Sequence, residues 1–329
     1  MKKNLEKQDI GQAVLEEITG GDPKTPKKKR GIWKAIQIPV LAIVTGLIIG
    51  AILIAVTSQT VYAAFGESIW KGFATVGKEI WNAYFALFTG SLGNPATITE
   101  ALRSGDDAAI RSAVNPFLES LVKSTPYIFA GLACALAFRA GLFNIGVEGQ
   151  LFMGAAAATY VGYAITGLPA YIHMPLAILA GALGGAIWGA IPGLLKALTG
   201  GNEVINCIMM NYIAYRLTTY LLTGPMTRPG GGGMPLSPII EKSAQIPQFF
   251  GTPIRFHLGF FIALGFAVFV WWLLFKTTWG LNLRTVGTNP RAAKYAGLSI
   301  TQTTILGMAL SGALAGLAGA NEILAVNRS

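Results

Sequence analysis

Charge is scarce in this chain. Aspartate, glutamate, lysine and arginine together make up 12% of its 329 residues, about half the roughly 25% that an ordinary soluble domain uses to wet its surface. That shortage excludes a soluble globular enzyme. With 53% apolar residues it also excludes a disordered chain, which needs low hydrophobicity together with high net charge. Histidine and cysteine are scarcer still, two of each, and neither HExxH nor GxSxG occurs, so no catalytic residue and no metal site is assigned. Cys134 and Cys207 lie in apolar stretches without a partner of suitable spacing and are expected to be buried free thiols. A phosphate-loop spacing does occur at Gly72–Lys78, but Glu79 stands where Ser or Thr would hold magnesium, and no strand is expected before it. The chain is therefore not expected to hydrolyse ATP.

What is abundant is long uncharged sequence, and a helix needs about 20 mostly apolar residues to cross a bilayer. Residues 35–66, 256–275 and 295–321 each supply one such run. Residues 149–195 supply two, divided at Gly167-Leu168-Pro169-Ala170. Residues 125–138 form a short candidate, and residues 204–222 one interrupted by Arg216. The expected fold is an all-α, polytopic transmembrane helix bundle of about seven spans. An odd number leaves the C-terminus outside, straight after a Gly/Ala-rich helix, so C-terminal spans are expected to be missing.

The net charge of +10 carries orientation. With the N-terminus in the cytoplasm, the inner segments hold fifteen basic residues and the outer ones eight, as retention of Lys and Arg in short cytoplasmic loops requires. The organisation that follows is a basic cytoplasmic segment at 1–35, with a short surface helix over 4–18 and the Lys27–Arg30 cluster, and a transmembrane domain at 36–329. Its external loops cover about 58–123 and 223–255, and a cytoplasmic loop covers about 278–300. The surplus of positive charge marks a side of the membrane rather than a nucleic-acid partner. Membrane lipid is the expected surround.

Glycine, at 41 residues, falls in stripes. Gly181, Gly185, Gly189 and Gly193 recur every four residues, as do Gly154, Ala158 and Gly162, then Gly312, Gly316 and Ala320, and Gly46 with Gly50. Small residues on one helix face let backbones approach closely where lipid supplies little hydrophobic force.

Polar chemistry in an apolar setting marks three places. Residues 138–150 put Arg139, Asn144, Glu148 and Gln150 among three glycines between two apolar segments. Two readings stand: a tight cytoplasmic turn, with Glu148 pairing to Arg139, or an interrupted helix lining an aqueous path, which the short preceding span favours. Asn202 and Glu203 suit either a helix cap or the path, and Asn211 lies within the span that follows. At residues 280–298, Asn289 can cap a helix that has Pro290 at its first position, and Gly297 can stop it. That helix either lies on the lipid or presents Ala292, Ala293, Tyr295 and Leu298 as a knob for a protein groove.

These motifs resemble a known family. Residues 135–155 (ALAFRAGLFNIGVEGQLFMGA), 202–214 (NEVINCIMMNYIA) and 283–300 (LRTVGTNPRAAKYAGLSI) are similar to the permease subunits of bacterial nucleoside-type ABC importers, in the larger group with ribose and branched-chain amino acid permeases. The resemblance implies a cell-membrane transport subunit paired with a second permease, an ABC ATPase holding ATP and Mg, and an extracellular substrate-binding lipoprotein. It makes the helix at Asn289–Gly297 the coupling helix, with Arg284, Gly287, Asn289, Pro290, Ala292, Ala293, Tyr295 and Gly297 at the ATPase contact. Asn144, Glu148, Gln150, Asn202, Glu203 and Asn211 are then expected near the translocation path. A sugar permease, a secondary transporter and a membrane scaffold are the rival readings.

Overall fold

The computed structural model describes residues 32–230, 234–251 and 253–328. The N-terminal surface helix and the Lys27–Arg30 cluster lie outside the described residues. Twelve α-helices and a closing π-helical turn make up the described residues, whose only β pairing is an isolated bridge between Gln248 and His257. The chain divides into two compact units, Met1–Leu87 and Phe88–Ser329.

In the first unit, α1 (Ile32–Thr57) is followed by α2 (Gln59–Glu67) and by most of α3 (Ile69–Leu92). Its apolar side chains, Ile38, Ile43, Ile49 and Leu53 among them, are exposed. A helix apolar all round with no protein over it is suited to lipid. Tyr84 donates to the Leu47 carbonyl and touches Gly50. Gly46 meets nothing within 4 Å, so of the expected pair in this span Gly50 alone makes a contact in this unit. Gly72–Lys78, the false phosphate loop, lies inside α3.

The second unit holds α4 (Pro95–Ser104), α5 (Asp107–Arg139), α6 (Val147–Ala164), α7 (Ala170–Thr199), α8 (Glu203–Thr223), α9 (Gly259–Lys276), α10 (Thr278–Thr288), α11 (Pro290–Tyr295) and α12 (Ile300–Asn321), then the turn Glu322–Asn327. The short span expected over residues 125–138 is corrected here. It is the end of the 33-residue α5, which starts at an Asp106 cap accepting from Ala108 and Ala109 and runs through Pro116 and Pro126. Charged residues at 107–123 hid its first half from hydropathy. Residues 58–123 hold α2, α3, α4 and the first half of α5. Five helices among the described residues are long and apolar enough to cross a membrane: α1, α5, α7, α9, and α12 with its closing turn. The two further runs expected to span, at 149–166 and 204–222, fold as helices α6 and α8, of 18 and 21 residues, which are less apolar because of Glu148, Gln150, Asn211 and Arg216 and are not among those five.

The glycine stripes do what small residues allow. Gly181, Gly185 and Gly189 on α7 lie against Gly312 and Gly316 on α12, and Gly154 on α6 lies between Gly316 and Gly181. A methyl group on Gly154, Gly185, Gly189, Gly312 or Gly316 would overlap backbone across the contact, and one on Gly181 would overlap the Ala320 Cβ. Around this three-helix centre, Phe129, Ala133, Leu136 and Ala137 of α5 bury against Met308, Leu314, Ala315 and Ala318 of α12, with Ala263 and Val270 of α9 alongside. The irregular segment after α8 folds over one end of the bundle. Ile240 and Ile246 pack on Ala158, Ala177, Ala320 and Leu324, and their amides donate to the carbonyls of Arg328 and Leu324. That cover satisfies carbonyl groups which a helix end leaves open.

Candidate functional site

Residues 140–146 form a tight turn between α5 and α6. Gly141 sits at φ +71°, a conformation only glycine adopts freely, and Leu142 N–H donates back to the Ala137 carbonyl. Asn144 follows and is 3% exposed. Its Nδ2 donates to Gln150 Oε1 at 2.9 Å and Ser311 Oγ at 2.8 Å, while its Oδ1 accepts from Gly146 N at 2.9 Å and Gln150 Nε2 at 3.1 Å. Cys207 Sγ contacts the same oxygen at 3.6 Å, and Ser311 passes the chain on to the Ala133 carbonyl. One buried amide thus ties together the turn and helices α5, α6, α8 and α12.

Asn211 of α8 closes the turn from the other side. Its Oδ1 accepts from Gly149 N at 2.9 Å, and its Nδ2 donates to the Ile145 carbonyl at 3.1 Å. Of the six residues expected near a path, the structure therefore brings Asn144, Gln150 and Asn211 together as a clamp on the turn, with Asn144 and Gln150 buried. Glu148 is exposed beside them and, with Asn211, Phe152, Tyr212 and Tyr215, lines a cavity of about 320 Å³. It makes no ion pair with Arg139. The Arg139 guanidinium instead lies 5.6 Å from the Phe275 ring centre, and that of Arg284 lies 5.0 Å from the same ring.

Asn202 lies elsewhere, whereas Glu203 reaches the turn, its carboxylate accepting from the Phe143 backbone N–H. Asn202 is nine residues before Asn211, about 13 Å along the helix. It caps α8 by accepting from Val204 N, and Glu203 pairs with Lys196 at 2.6 Å. Cys207 is buried as expected, but Cys134 is only half-buried. Sequence reasoning missed Ser311, whose one visible signal was a hydroxyl amid the Gly/Ala stripe of α12.

Removing the Asn144 amide strands its partners in a medium that cannot replace them. Asn144→Leu leaves the Gln150 amide and the Gly146 N–H unpaired, at about 1–3 kcal/mol for each buried group, and takes from Ser311 one of its two partners. The variant is expected to unfold at a markedly lower temperature in detergent, whereas Ile145→Leu, at a half-exposed neighbour, shifts it little.

The helix at 290–295 forms as its caps dictate. Asn289 accepts from Ala292 N at 3.0 Å, Pro290 occupies the first position, and Gly297 at φ +79° ends it. Tyr295 is 94% exposed and Ala292 exposed, but Ala293 is fully buried. The expected knob is corrected accordingly: Ala293 faces inward because the helix has only one wet face. Arg284 is held over Phe275. Gly287 packs on the Arg139 carbonyl and on Gly141, its Cα lying 2.8 Å from where a Gly141 Cβ would be. Two motifs almost 150 residues apart thus meet backbone to backbone.

Further from the turn, His257 and Asn321 are buried side by side against Gly259, and none of their side-chain nitrogens or oxygens has a hydrogen-bond partner among the described residues.

Residues 117–328 match the family model described as the branched-chain amino acid transport system / permease component. The chain belongs to this permease family. It is 39% identical to the guanosine ABC transporter permease protein NupP of Bacillus subtilis over 87% of this chain and 71% of that one. It is 32% identical to the glucose ABC transporter permease protein TsgB13 of Haloferax volcanii, over 91% of this chain and 70% of that one. The nucleoside ABC transporter permease protein NupB of Lactococcus lactis is 30% identical over 87% and 70%. No solved structure matches. The permease is a multi-pass membrane protein, and its matched region spans the whole of α5 from Phe117 onward through the turn, α8 and the loop that carries α11.

Proposed function

We propose that the permease is the transmembrane subunit of an ABC importer that moves nucleosides into the cell by alternating access, with ATP hydrolysed on a separate subunit. The observation that carries the reading is the junction of Gly287 with Gly141. It fuses an exposed six-residue helix to the turn whose amide network holds four helices. A push on α11 therefore has a stiff route into the bundle, since backbone in contact cannot yield by changing rotamer. In this reading α11 docks in a groove of the ATPase, which binds ATP with Mg, a second permease completes the pathway, and a binding lipoprotein delivers substrate on the outer face. The N-terminus and α11 lie on the cytoplasmic side, where the basic residues gather. Switching the pathway almost completely requires the nucleotide cycle to favour one state by about 5.5 kcal/mol.

The names of the relatives from Bacillus and Lactococcus support nucleosides. The Haloferax relative, named for glucose at 32% identity, supports a sugar as the second reading. Uptake by the permease reconstituted with its partners in proteoliposomes separates them. Labelled guanosine is expected to accumulate only with internal ATP, and excess glucose is expected not to compete. Uptake that ignores ATP sinks the importer reading, and competition by glucose moves the assignment to sugars.

A further inference from the structure

A second cavity lies further along the same pair of helices. It has a volume of about 260 Å³ and lies between α6, α8 and the π-helical turn Glu322–Asn327. Phe152 borders both this cavity and the one beside Glu148, so the two chambers are neighbours between α6 and α8. The walls of the second are mostly apolar, with Leu151, Ala155, Leu221 and Met226 among them. Its polar groups are few, as in sites that orient a small ligand.

Two of those groups have no sufficient structural employment. Thr218 Oγ1 is buried and has no hydrogen-bond partner among the described residues, whereas Thr159, on the same cavity, satisfies itself on the Ala155 carbonyl at 2.7 Å. Leaving a buried hydroxyl unpaired costs free energy that a valine would not incur. Glu322 places a carboxylate in an apolar wall and receives only a 3.3 Å contact from Asn327 Nδ2, leaving most of its acceptor sites open. A carboxylate set in a largely apolar wall is costly and is retained where it faces a partner or a pathway. The backbone supports that placement: the turn carrying Glu322 is π-helical, a widened geometry common at functional sites.

We propose that this chamber is a substrate station of the permease, in which Glu322 and Thr218 hydrogen-bond the sugar hydroxyls of a nucleoside and Phe152 supports its base. A carboxylate accepts from a vicinal diol, and an aromatic face stacks on a flat heterocycle, so the pair reads the two halves of one molecule. The station rests on the nucleoside reading above.

The test uses the complete complex in proteoliposomes, with guanosine and 2′,3′-dideoxyguanosine as probes. The wild type is expected to favour guanosine. In Glu322→Gln the KM for guanosine is expected to rise about tenfold, the scale of one charge-assisted hydrogen bond, with the preference over the dideoxy compound lost. Thr218→Val removes no internal hydrogen bond, so its thermal stability is expected to hold or rise while the KM increases. That opposition between stability and affinity is something a purely structural threonine does not produce. Should Glu322→Gln fail to assemble, Thr218→Val decides alone. Unchanged KM and unchanged preference in the assembled variants overturn the station and leave the importer reading standing. Absence of guanosine uptake by the wild type overturns the nucleoside reading itself.

Discussion

Gly312→Ala is expected to abolish the folded permease, although it adds a single methyl group. That methyl has nowhere to go: it would overlap the Gly185 carbonyl and crowd the Gly189 Cα at 3.0 Å. Overpacking by a methylene ordinarily costs about 1–3 kcal/mol, because flexible side chains shift aside. Here both colliding groups are backbone, so α7 and α12 must move apart and lose the close van der Waals contact of the whole stripe. A cost at or above the upper end of that range is expected. Fluorescence-detected size exclusion of the solubilised protein should show the monodisperse peak lost in Gly312→Ala and Gly185→Ala. Gly265→Ala on α9 provides the contrast, since a Cβ there meets nothing within 4 Å. It should leave the peak intact and gain up to about 1 kcal/mol from helix propensity. Equal behaviour of the three variants would show that the stripe is not the packing centre.

The second large effect concerns transport rather than folding. In the assembled importer, Ala292→Glu combined with Tyr295→Glu is expected to reduce uptake at least tenfold, with ATP hydrolysis no longer stimulated by substrate and the permease level unchanged. Both side chains stand in solvent, so the bundle has no reason to unfold. Two carboxylates on a six-residue knob, however, present charge and bulk to any groove that receives it. Ala293→Glu should behave differently, because Ala293 has no exposed surface and a buried unpaired carboxylate is expensive. Its expected signature is loss of protein rather than uncoupling. Measured by uptake, ATPase assay and immunoblot on the same membranes, the double variant with normal uptake would remove α11 from the coupling role.

The contrast between Ala292 and Ala293 also shows where sequence reading stops. Both are alanines in a short helix whose caps, Asn289, Pro290 and Gly297, could be named residue by residue. Those signals are local, set by backbone groups within four residues, and they place the helix correctly. Which alanine turns inward depends on what lies across from it, and periodicity over six residues cannot say. Asn144 and Gln150 teach the same lesson at the turn. Polar residues between apolar segments pointed to that place, and it is indeed where four helices are joined. Their burial follows from Ser311, far along the chain, so neither residue faces open space, while Glu148 between them does. α5 was misjudged for a different reason. Hydropathy ended the span at Thr125 because charge precedes it, whereas a helix continues through charge as long as its backbone is capped and unbroken.

By itself the sequence determined the all-helical membrane architecture, the glycine faces of α6, α7 and α12, and the caps of α11. Each of these is written in composition or in a short period that local geometry converts directly into structure. The tertiary structure alone decided that the glycine stripes face one another, that Gly141 and Gly287 join two distant motifs, and that Glu322 and Thr218 share a chamber. Contacts of that kind depend on how helices cross, which is set by the sum of many weak packing terms over the whole bundle and by no residue read alone.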